Sequence, residues 1–251
     1  MHPTEYQNIA DHEATYWWFQ CKRRLIKDSI QRYGHAIPAT ARMLDIGCGP
    51  GGNLAVLRQF APQAMGMDFS LYALQFARQN HQGALGQASV LDIPLQDHSI
   101  DLVTILDVLY HQWIPDDSVA LQECYRILKP GGVLILTDSA FSFLNGPHDA
   151  TNLAARRYTV SEMHQNLTNI GFEIEKESYV YALLFPIAFL KRWGQRTFST
   201  GAESASDIQP LPPWLNTLLL KLTLLELTWL KFGRLPFGTS IFFVARKPEI
   251  D

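Results

Sequence analysis

A glycine-rich run that follows a short apolar segment is the strongest chemical signal in this sequence. It reads Asp45-Ile46-Gly47-Cys48-Gly49-Pro50-Gly51-Gly52-Asn53 and lies between a predicted strand and a predicted helix. Glycines at such a turn let the backbone approach a ligand closely, and the N-terminus of the helix offers free N–H groups. Gly47, Gly49 and Gly52 also satisfy the G-x-G-x-x-G spacing of dinucleotide oxidoreductases. The run predicts a cofactor loop, with a tight turn that binds no ligand as the alternative.

A carboxylate further along the chain supports the cofactor interpretation. Asp68 ends the second predicted strand, about twenty residues after the loop begins, where a carboxylate can accept hydrogen bonds from both hydroxyls of a ribose. The simpler alternative is that Asp68 caps the helix that starts near Ser70.

Two histidines follow predicted strands and are candidate general bases, because histidine titrates near neutral pH. His111 comes after the fourth strand, and His148 comes after the fifth, beside Asp149. Alternatively, His111 holds the loop that leads into the next helix, and the later pair belongs to a polar loop linked to Arg156 or Arg157. These histidines lack close ligand spacing, so we predict no metal site.

Strands and helices alternate from residue 41 to residue 138. Strands are predicted at 41–47, 64–68, 84–90, 99–108 and 131–138, and helices at 52–60, 71–80 and about 115–128. Pro115 suits the first turn of the last of these helices. The alternation predicts an α/β fold of the Rossmann type, with a doubly wound, mostly parallel sheet and helices on both faces.

The segment after residue 150 completes the predicted sheet. Thr159 and Glu162 have the spacing of a capping box, which predicts a helix over Thr159–Ile170. Gly171 stands where that helix would stop. Alternating residues predict two further strands, at 172–181 and 240–247, which brings the sheet to seven strands.

A helical insertion is predicted between the last two strands, at 182–238, with a loop-like composition at 195–213. We therefore predict one domain over the whole chain. Its parts are an N-terminal helical lid (1–40), a core (41–181 and 239–248) and the insertion.

The N-terminal residues 4–33 are predicted to be helical and are unusually aromatic. The cluster Tyr16, Trp17, Trp18 and Phe19 is followed by Lys22, Arg23 and Arg24. One hypothesis makes this helix a lid in which Trp18 covers a cofactor and Arg23 or Arg24 pairs with the cofactor's carboxylate. The other packs the helix on the sheet through Trp17 and Phe19, and both can hold together.

The second half of the insertion predicts a helix that is apolar on most of its circumference. One face carries Leu215, Leu218, Leu222, Leu225, Trp229 and Phe232, and a second strip carries Leu220, Leu224, Leu227 and Leu230. Such a helix must be buried, paired or laid on lipid. The hypotheses are extra core, an apolar cap over an acceptor pocket together with Phe185, Phe189 and Trp193, or a homodimer or membrane-surface contact. Lys221 and Glu226 argue against a membrane-spanning helix.

Composition narrows the function classes. The chain has 251 residues, a net charge of −3 and an apolar fraction of 47%, which suits a packed domain and not a general nucleic-acid binder. Its three cysteines, Cys21, Cys48 and Cys124, are scattered, so we expect free thiols in a reducing compartment. No signal peptide is evident, and we predict a cytoplasmic protein.

Three sequence blocks resemble the class I S-adenosylmethionine-dependent methyltransferases. They are the D-I-G-C-G-P-G-G run, QASVLDIPLQDHSIDLVTILDVLYH at 87–111 and RILKPGGVLIL at 126–136. The ends of the chain, YWWFQCKRR, GPHDATNLAARRYTVSEMHQNL and LPFGTSIFFVARKP, are similar to a bacterial subgroup from natural-product and polysaccharide gene neighbourhoods. The resemblance implies S-adenosylmethionine as the cofactor.

The resemblance also implies roles for single residues. Those expected at the cofactor are Gly47, Gly49 and Gly51 at its backbone approach, Asp45 at its amino-acid end, Asp68 at the ribose, Phe69, Ser89 and Val90 at adenine, and Asp107 and Val108 near the methionine amine or sulfonium. Many relatives have an aspartate where this chain has Ser89, so we expect no ionic contact with adenine there.

The implied activity is transfer of a methyl group to a small-molecule, lipid-linked or sugar-linked acceptor with substantial apolar surface. Such an in-line displacement needs alignment, and it needs a base when the acceptor is a hydroxyl or an acidic carbon. Candidate acceptor contacts are Tyr110, Asp149, Tyr158, Trp193 and Trp229. The alternatives are a nicotinamide-dependent oxidoreductase, a non-catalytic binding protein that retains the cofactor fold, and a membrane-surface protein.

Overall fold

A seven-stranded sheet forms the centre of the computed structural model, which describes residues 3–34, 37–38, 40–80, 83–145, 153–187, 189–190 and 208–249. Its strands are β1 (Met43–Ile46), β2 (Met65–Asp68), β3 (Leu85–Gln87), β4 (Ile100–Leu106), β5 (Leu128–Ser139), β6 (Glu173–Val180) and β7 (Ser240–Arg246). They lie in the order β3-β2-β1-β4-β5-β7-β6. The sheet confirms the fold class predicted from the sequence.

The first five strands are parallel, and β7 is inserted antiparallel between β5 and β6. The carboxyl ends of β1, β2, β4 and β5 therefore meet at one edge of the sheet, which we call the site edge. Open α/β sheets bind ligands in the crevice outside these strand ends. The residues with predicted cofactor roles around β1, β2 and β4 lie in the glycine loop that follows β1 or within two residues of these strand ends.

The α-helices with defined bounds are α1 (Pro3–His12), α2 (Trp17–Tyr33), α3 (Leu54–Leu57), α4 (Leu71–Asn80), α5 (Asp117–Ile127), α6 (Val160–Ile170) and α7 (Pro213–Leu230). Side chains of α2, α3 and α7 cover one face of the sheet with β4 residues such as Leu102. Those of α5 and α6 cover the other face with β4 residues such as Val103. Alternate residues of β4 thus enter two apolar layers, as a central parallel strand requires.

The structure confirms one predicted helix boundary and moves others. The capping box of α6 is present as predicted, because Thr159 Oγ1 accepts from Glu162 N and the Glu162 carboxylate accepts from Thr159 N. Pro115, however, lies before α5, because the carboxylate of Asp116 caps that helix by accepting from Ser118 N at 2.9 Å. The helix predicted at 52–60 is a single turn flanked by turns, and the third strand has three residues.

The N-terminal segment is two helices rather than one. The chain turns at residues 13–16, between α1 and α2. Tyr16, at the N-cap of α2, makes no side-chain cap hydrogen bond. A residue distant in sequence supplies the missing partner: Asn216 of α7 accepts from Trp17 N at 2.9 Å and donates to the Thr15 carbonyl at 3.0 Å. The break is therefore fixed by tertiary contacts that the local pattern does not contain.

Helix α7 packs along α2 with the side that carries the second predicted strip. Thr223, Glu226, Leu227 and Leu230 are buried, and Cys21 Sγ lies 2.6 Å from Thr223 Oγ1. The face that includes Leu225 and Trp229 is exposed to solvent. Because both strips are apolar, periodicity does not determine which of them is buried. Packing against α2 determines it.

The structure agrees with the prediction of free thiols. Cys21, Cys48 and Cys124 are free and buried. None of the helices in the described part of the chain is both long enough and apolar enough to cross a bilayer.

Candidate active site

The glycine loop turns at the site edge through left-handed backbone conformations. Gly47, Gly49 and Gly51 have φ angles of 68°, 54° and 97°. The N–H groups of Gly47 and Cys48 donate to the Met67 carbonyl at 2.7 and 3.0 Å, which ties the loop to β2. A Cβ at Gly47 would collide with Val108 Cγ2, whereas one at Gly49 would meet no atom within 4 Å. Gly49 therefore borders open space.

Asp45 is a buried carboxylate beneath this loop. Its Oδ1 accepts from Thr104 Oγ1 at 2.6 Å. Its Oδ2 is also buried and has no hydrogen-bond partner in good geometry among the described residues, although the Asn53 side chain lies close enough to lower the pKa of Asp45. Burial raises the pKa of Asp45 to about 7, despite the lowering effect of the hydrogen bond from Thr104. A spare carboxylate oxygen at this position suits a ligand that carries positive charge.

Asp68 holds the turn between β2 and α4 and also faces the glycine loop. Its Oδ2 accepts from Gly49 N at 2.9 Å, and its Oδ1 accepts from Ser70 N at 2.8 Å. Helix α4 is capped by Ser70, whose Oγ accepts from Ala73 N at 3.4 Å. Asp68 therefore fixes the turn and the glycine loop and does not itself cap α4. Tyr6 of α1 lies close by and hydrogen-bonds to the Ser70 side chain. Burial raises the pKa of Asp68 above its ordinary value.

The residues predicted to flank adenine form the far end of this edge. The Phe69 side chain is 65% exposed, and Val90 is buried in the core. Ser89 Oγ accepts from Leu91 N at 3.1 Å, so the hydroxyl supports its own turn. Gln87 Nε2 donates to the Phe69 carbonyl at 3.1 Å and fixes that backbone. Among these residues, Phe69 has the exposed ring, which a ligand could cover.

The turn after β4 brings Asp107, Val108, Tyr110 and His111 to the site edge. Asp107 has a φ angle of 56°, a conformation that aspartate tolerates better than most residues. The rings of Tyr110 and His111 are stacked at a tilt, with centroids 4.5 Å apart. A buried carboxylate on β5 holds this turn: Asp138 Oδ2 accepts from Tyr110 N at 3.3 Å. Burial, and then the nearby Asp107, raise the pKa of Asp138 well above its ordinary value.

A cation from α2 reaches the same turn, and it is not one of the two arginines that we expected. The buried Lys22 forms an ion pair with Asp107, and its Nζ lies 3.5 Å from the ring centroid of Trp18. Arg24 points away and pairs with Asp28, which excludes it from the site in this structure. Trp18 is thus linked to the turn after β4 by Lys22, which contacts both the Trp18 ring and Asp107.

Arg23 lies beside the end of the glycine loop, near a carboxylate that sequence reasoning missed. Glu13 Oε2 accepts from Gly52 N at 3.0 Å. Arg23 donates to the Ala14 carbonyl at 3.2 Å, and its charge lowers the pKa of Glu13, although burial raises that pKa more. The break between α1 and α2 is the reason that Glu13 can reach the loop.

The Lys22–Asp107 pair gives a testable stability difference. Lys22→Met keeps most of the apolar stem but leaves the Asp107 carboxylate without its counter-ion, so we expect the free energy of unfolding to fall by about 3 kcal/mol. Urea denaturation measures this change. The double variant Lys22→Met/Asp107→Asn should recover more than half of the loss, and Lys27→Met, on the exposed side of α2, should change little. Equal losses in the single and double variants would show that the pair is not coupled.

An aromatic cluster lies at the part of the site edge formed by β5, β7 and β6. Its members, which we call the aromatic wall, are Phe141, Phe143, Tyr179, Phe185, Phe189 and Phe237. The Phe141 ring stacks on both Phe143 and Tyr179, with centroids 5.0 and 4.7 Å apart. A carboxylate of α7 secures the chain just before Phe185, because Glu226 accepts from Tyr181 N and, at 3.0 Å, from Leu183 N.

The predicted acceptor residues are not all brought together. Tyr110 and Tyr158 are buried, and the Tyr158 hydroxyl donates to the Leu109 carbonyl at 3.2 Å, which favours a supporting role under the turn. Trp229 lies on the exposed face of α7. His148, Asp149 and Trp193 fall outside the described residues. The described part of the chain contains no group of three side chains that could hold a metal ion.

Sequence reasoning missed Tyr6, Glu13, Lys22, Thr104 and Asp138. A signal existed for two of them. Lys22 stands in the basic run after the aromatic cluster, and Asp138 ends the fifth strand as Asp68 ends the second. Glu13 and Tyr6 reach the site only because of the break between α1 and α2, for which we found no local signal.

Part of the chain matches a known family of proteins. Residues 44–136 match the family model described as a methyltransferase domain. A Mycolicibacterium smegmatis protein named "Probable S-adenosylmethionine-dependent methyltransferase" is 28% identical over 166 residues, which are 65% of this chain and 62% of that relative. The fatty-acid O-methyltransferase of the same species is 36% identical over 121 residues, 44% of this chain and 43% of that one. The chain thus spans less than two thirds of the length of these relatives.

Solved structures show the same fold. The geranyl diphosphate C-methyltransferase of Streptomyces coelicolor, solved with Mg²⁺, geranyl diphosphate and S-adenosyl-L-homocysteine, superimposes with a TM-score of 0.58. The superposition covers 88% of this chain and 76% of that one, at 14% identity. At this identity the likeness concerns the fold alone.

Proposed function

Because residues 44–136 form a class I S-adenosylmethionine-dependent methyltransferase domain, we propose that this chain transfers a methyl group from S-adenosylmethionine to an acceptor with substantial apolar surface. The observation that carries the proposal is the juxtaposition at the site edge. An open glycine turn at Gly49, a carboxylate with a spare oxygen at Asp45 and the carboxylate of Asp68 stand together there.

The residues present fit this cofactor. Its sulfonium and amino groups are positive, and the site edge offers the carboxylates of Asp45 and Asp107. We assign the ribose hydroxyls to Asp68, whose oxygens each keep a further lone pair beside the one already used. The exposed Phe69 ring would lie against adenine, with the backbone of Ser89 and Val90 at its edge. Lys22 or Arg23 would face the cofactor's carboxylate.

The mechanism requires little covalent chemistry from the protein. S-adenosylmethionine supplies an electrophilic methyl group on sulfur. The chain's own residues bind and orient the two reactants in line and exclude water, which supplies much of the rate. His111 is our candidate to take a proton from an acceptor hydroxyl or acidic carbon, with Tyr110 and Asp138 holding the turn that carries it. His148 is the second candidate.

We extend the proposal to the parts of the chain. Residues 1–40 act as a lid, because Tyr6, Glu13 and Lys22 each contact a residue of the glycine loop, the β2 turn or the β4 turn. Residues 41–181 with 239–248 form the core, and 182–238 contributes to the acceptor side.

The apolar acceptor is inferred from the aromatic wall. Six aromatic rings at one edge of the sheet would bind a ligand through apolar area and stacking. One sequence relative, the fatty-acid O-methyltransferase, acts on an apolar molecule by its name. We infer an acyl, prenyl or polycyclic acceptor, and Tyr110, Asp149, Tyr158 and Trp193 remain candidate contacts.

The cofactor assignment is tested at Asp68. We expect Asp68→Ala to weaken the binding of S-adenosylhomocysteine by about 1.5–3 kcal/mol, the scale of hydrogen bonds to a charged group. Isothermal titration calorimetry measures this change, with NAD as the competing cofactor. Asp116→Ala is the matched control, since Asp116 also accepts from the N–H two residues on but lies on the other side of β4. Unchanged affinity in Asp68→Ala, or binding of NAD instead, would contradict the assignment.

The acceptor class is tested at Phe185, which contacts Phe141, Phe143, Phe189 and Phe237. Activity is followed as S-adenosylhomocysteine release with soluble fatty acids, phenols and prenyl alcohols as acceptors. Phe185→Ala removes ring contacts worth about 1.5 kcal/mol, so we expect the acceptor's KM to rise about tenfold with unchanged cofactor affinity. Phe232→Ala, at the far end of α7, serves as the aromatic control. An unchanged KM in Phe185→Ala would place the acceptor elsewhere.

A further inference from the structure

The solvent-facing side of α7 is an apolar surface that the fold leaves uncovered. Its side chains, which we call the outward face, are Trp214, Leu218, Leu225, Trp229 and Phe232, and each is exposed. The helix contains two charged residues. Glu226 is buried on the opposite side, and Lys221 is exposed. Phe232, just beyond the helix, is 84% exposed. Contiguous apolar patches of this kind mark interaction surfaces.

The outward face has the length and the arrangement of an interfacial helix. Its two tryptophans, Trp214 and Trp229, are separated by about 22 Å along the helix axis. Tryptophan prefers the boundary between hydrocarbon and water, because its ring is apolar and its N–H is polar.

Positive charge gathers at the C-terminal end of α7, where Phe232 ends the outward face. Four side chains, which we call the cationic rim, line or adjoin a cleft between α2, the buried side of α7 and β6: Arg32, Lys176, Lys231 and Arg234. Arg32 and Lys176 donate to the carbonyls of Lys231 and Gly233, both at 2.6 Å. Two carboxylates face them, because Lys231 pairs with Asp28 and Arg234 pairs with Glu177. The rim therefore keeps an excess of two positive charges. Burial, and then Arg234 and Arg32, lower the pKa of Lys176, which shows that these cations lie close together.

Charge decides between the occupants that an apolar face could have. In a symmetric dimer through this face, Lys221 and the cationic rim would meet the same cations of a second copy. No exposed carboxylate stands on the described residues 213–232 to receive them. An anionic bilayer surface complements both features, because it accepts apolar side chains at the acyl boundary and cations at the headgroups.

We propose that the outward face of α7, together with the cationic rim, binds the surface of an anionic lipid bilayer. The helix lies in the plane of the membrane and does not cross it. Binding of this kind would hold the enzyme beside acceptors that partition into lipid. The proposal does not require methyl transfer, so it can be tested separately.

Vesicle flotation tests the proposal directly. The probe is a set of vesicles of phosphatidylcholine with about 30% phosphatidylglycerol, compared with pure phosphatidylcholine. We expect the full chain to float with the anionic vesicles and less with the neutral ones. The double variant Leu225→Glu/Trp229→Glu should lower the vesicle-bound fraction at least about tenfold, because it puts two charges into the apolar face. Trp113→Glu, which changes a tryptophan of similar exposure elsewhere, should float as the parent does.

Two further measurements separate the possible failures. Calorimetry with S-adenosylhomocysteine in the absence of lipid should give the same affinity for the double variant and the parent, which shows that the variant is folded. Analytical ultracentrifugation should give a monomer for both. Absent flotation of the parent, equal flotation of the double variant, or a parent dimer that the double variant dissociates would each overturn the proposal. Loss of S-adenosylhomocysteine binding in the parent would instead contradict the proposed methyl transfer.

Discussion

Gly49→Val is expected to weaken the binding of S-adenosylhomocysteine about 100-fold or more, equivalent to roughly 3 kcal/mol. Two causes combine. The φ angle of Gly49 is 54°, a region in which a β-branched residue is strained by about 1–2 kcal/mol. The space beside its Cα contains no protein atom within 4 Å, so a valine side chain would occupy the volume that we assign to the cofactor. Calorimetry of the purified variant measures the change.

A matched glycine separates cofactor contact from general damage. At Gly86, in β3, an added Cβ would also meet no atom within 4 Å, and the φ angle of this glycine is not positive. Gly86→Val should therefore leave affinity within a factor of about two, since valine is favoured in strands. If Gly49→Val folds and binds S-adenosylhomocysteine as the parent does, the loop is not the cofactor site.

His111→Ala is expected to lower kcat by about 10²–10⁴, the usual contribution of general acid–base catalysis, with cofactor affinity nearly unchanged. The histidine follows β4 on the turn that Asp138 holds through Tyr110 N. Activity on the identified acceptor is measured as a function of pH, because loss of a base also removes the acid limb of the pH profile. His148→Ala is measured in parallel.

The control for this prediction is His164→Ala. His164 lies on α6 and pairs with Glu177 at 2.6 Å, and we assign it no role at the site, so its loss should leave kcat unchanged. Full activity in both His111→Ala and His148→Ala would show that alignment alone suffices for the reaction. A loss confined to His148→Ala would move the base to the segment after β5.

The sheet could be predicted because its signals are local. The glycine turn, the carboxylate at the end of β2 and the capping box of α6 each lie within a few residues, and the structure has all three. Continuous apolar runs identified the central strands because both of their faces are covered. The resemblance to methyltransferases then predicted which residues of these elements bind the cofactor.

The remaining features depend on contacts between distant residues. Both strips of α7 are apolar, so hydrophobic periodicity could not tell that Thr223 and Glu226 face α2 while Leu225 faces solvent. The break before α2 depends on Asn216, some two hundred residues away. Because of that break, Lys22 faces Asp107 and Arg24 faces Asp28. The run of three basic residues did not indicate which of them would reach the site.

Glu226 has a consequence for how specificity in this chain could be exchanged. One carboxylate of α7 accepts N–H groups at the start of the segment that carries Phe185, and burial raises its pKa. The aromatic wall and α7 therefore form one mechanical unit, although the sequence between them is long. A graft that replaces the segment carrying Phe185 but keeps α7 would change the backbone whose N–H groups Glu226 accepts. Exchange of acceptor preference should succeed when the crossover points lie at the end of β6 and the start of β7, so that this segment and α7 are transferred together.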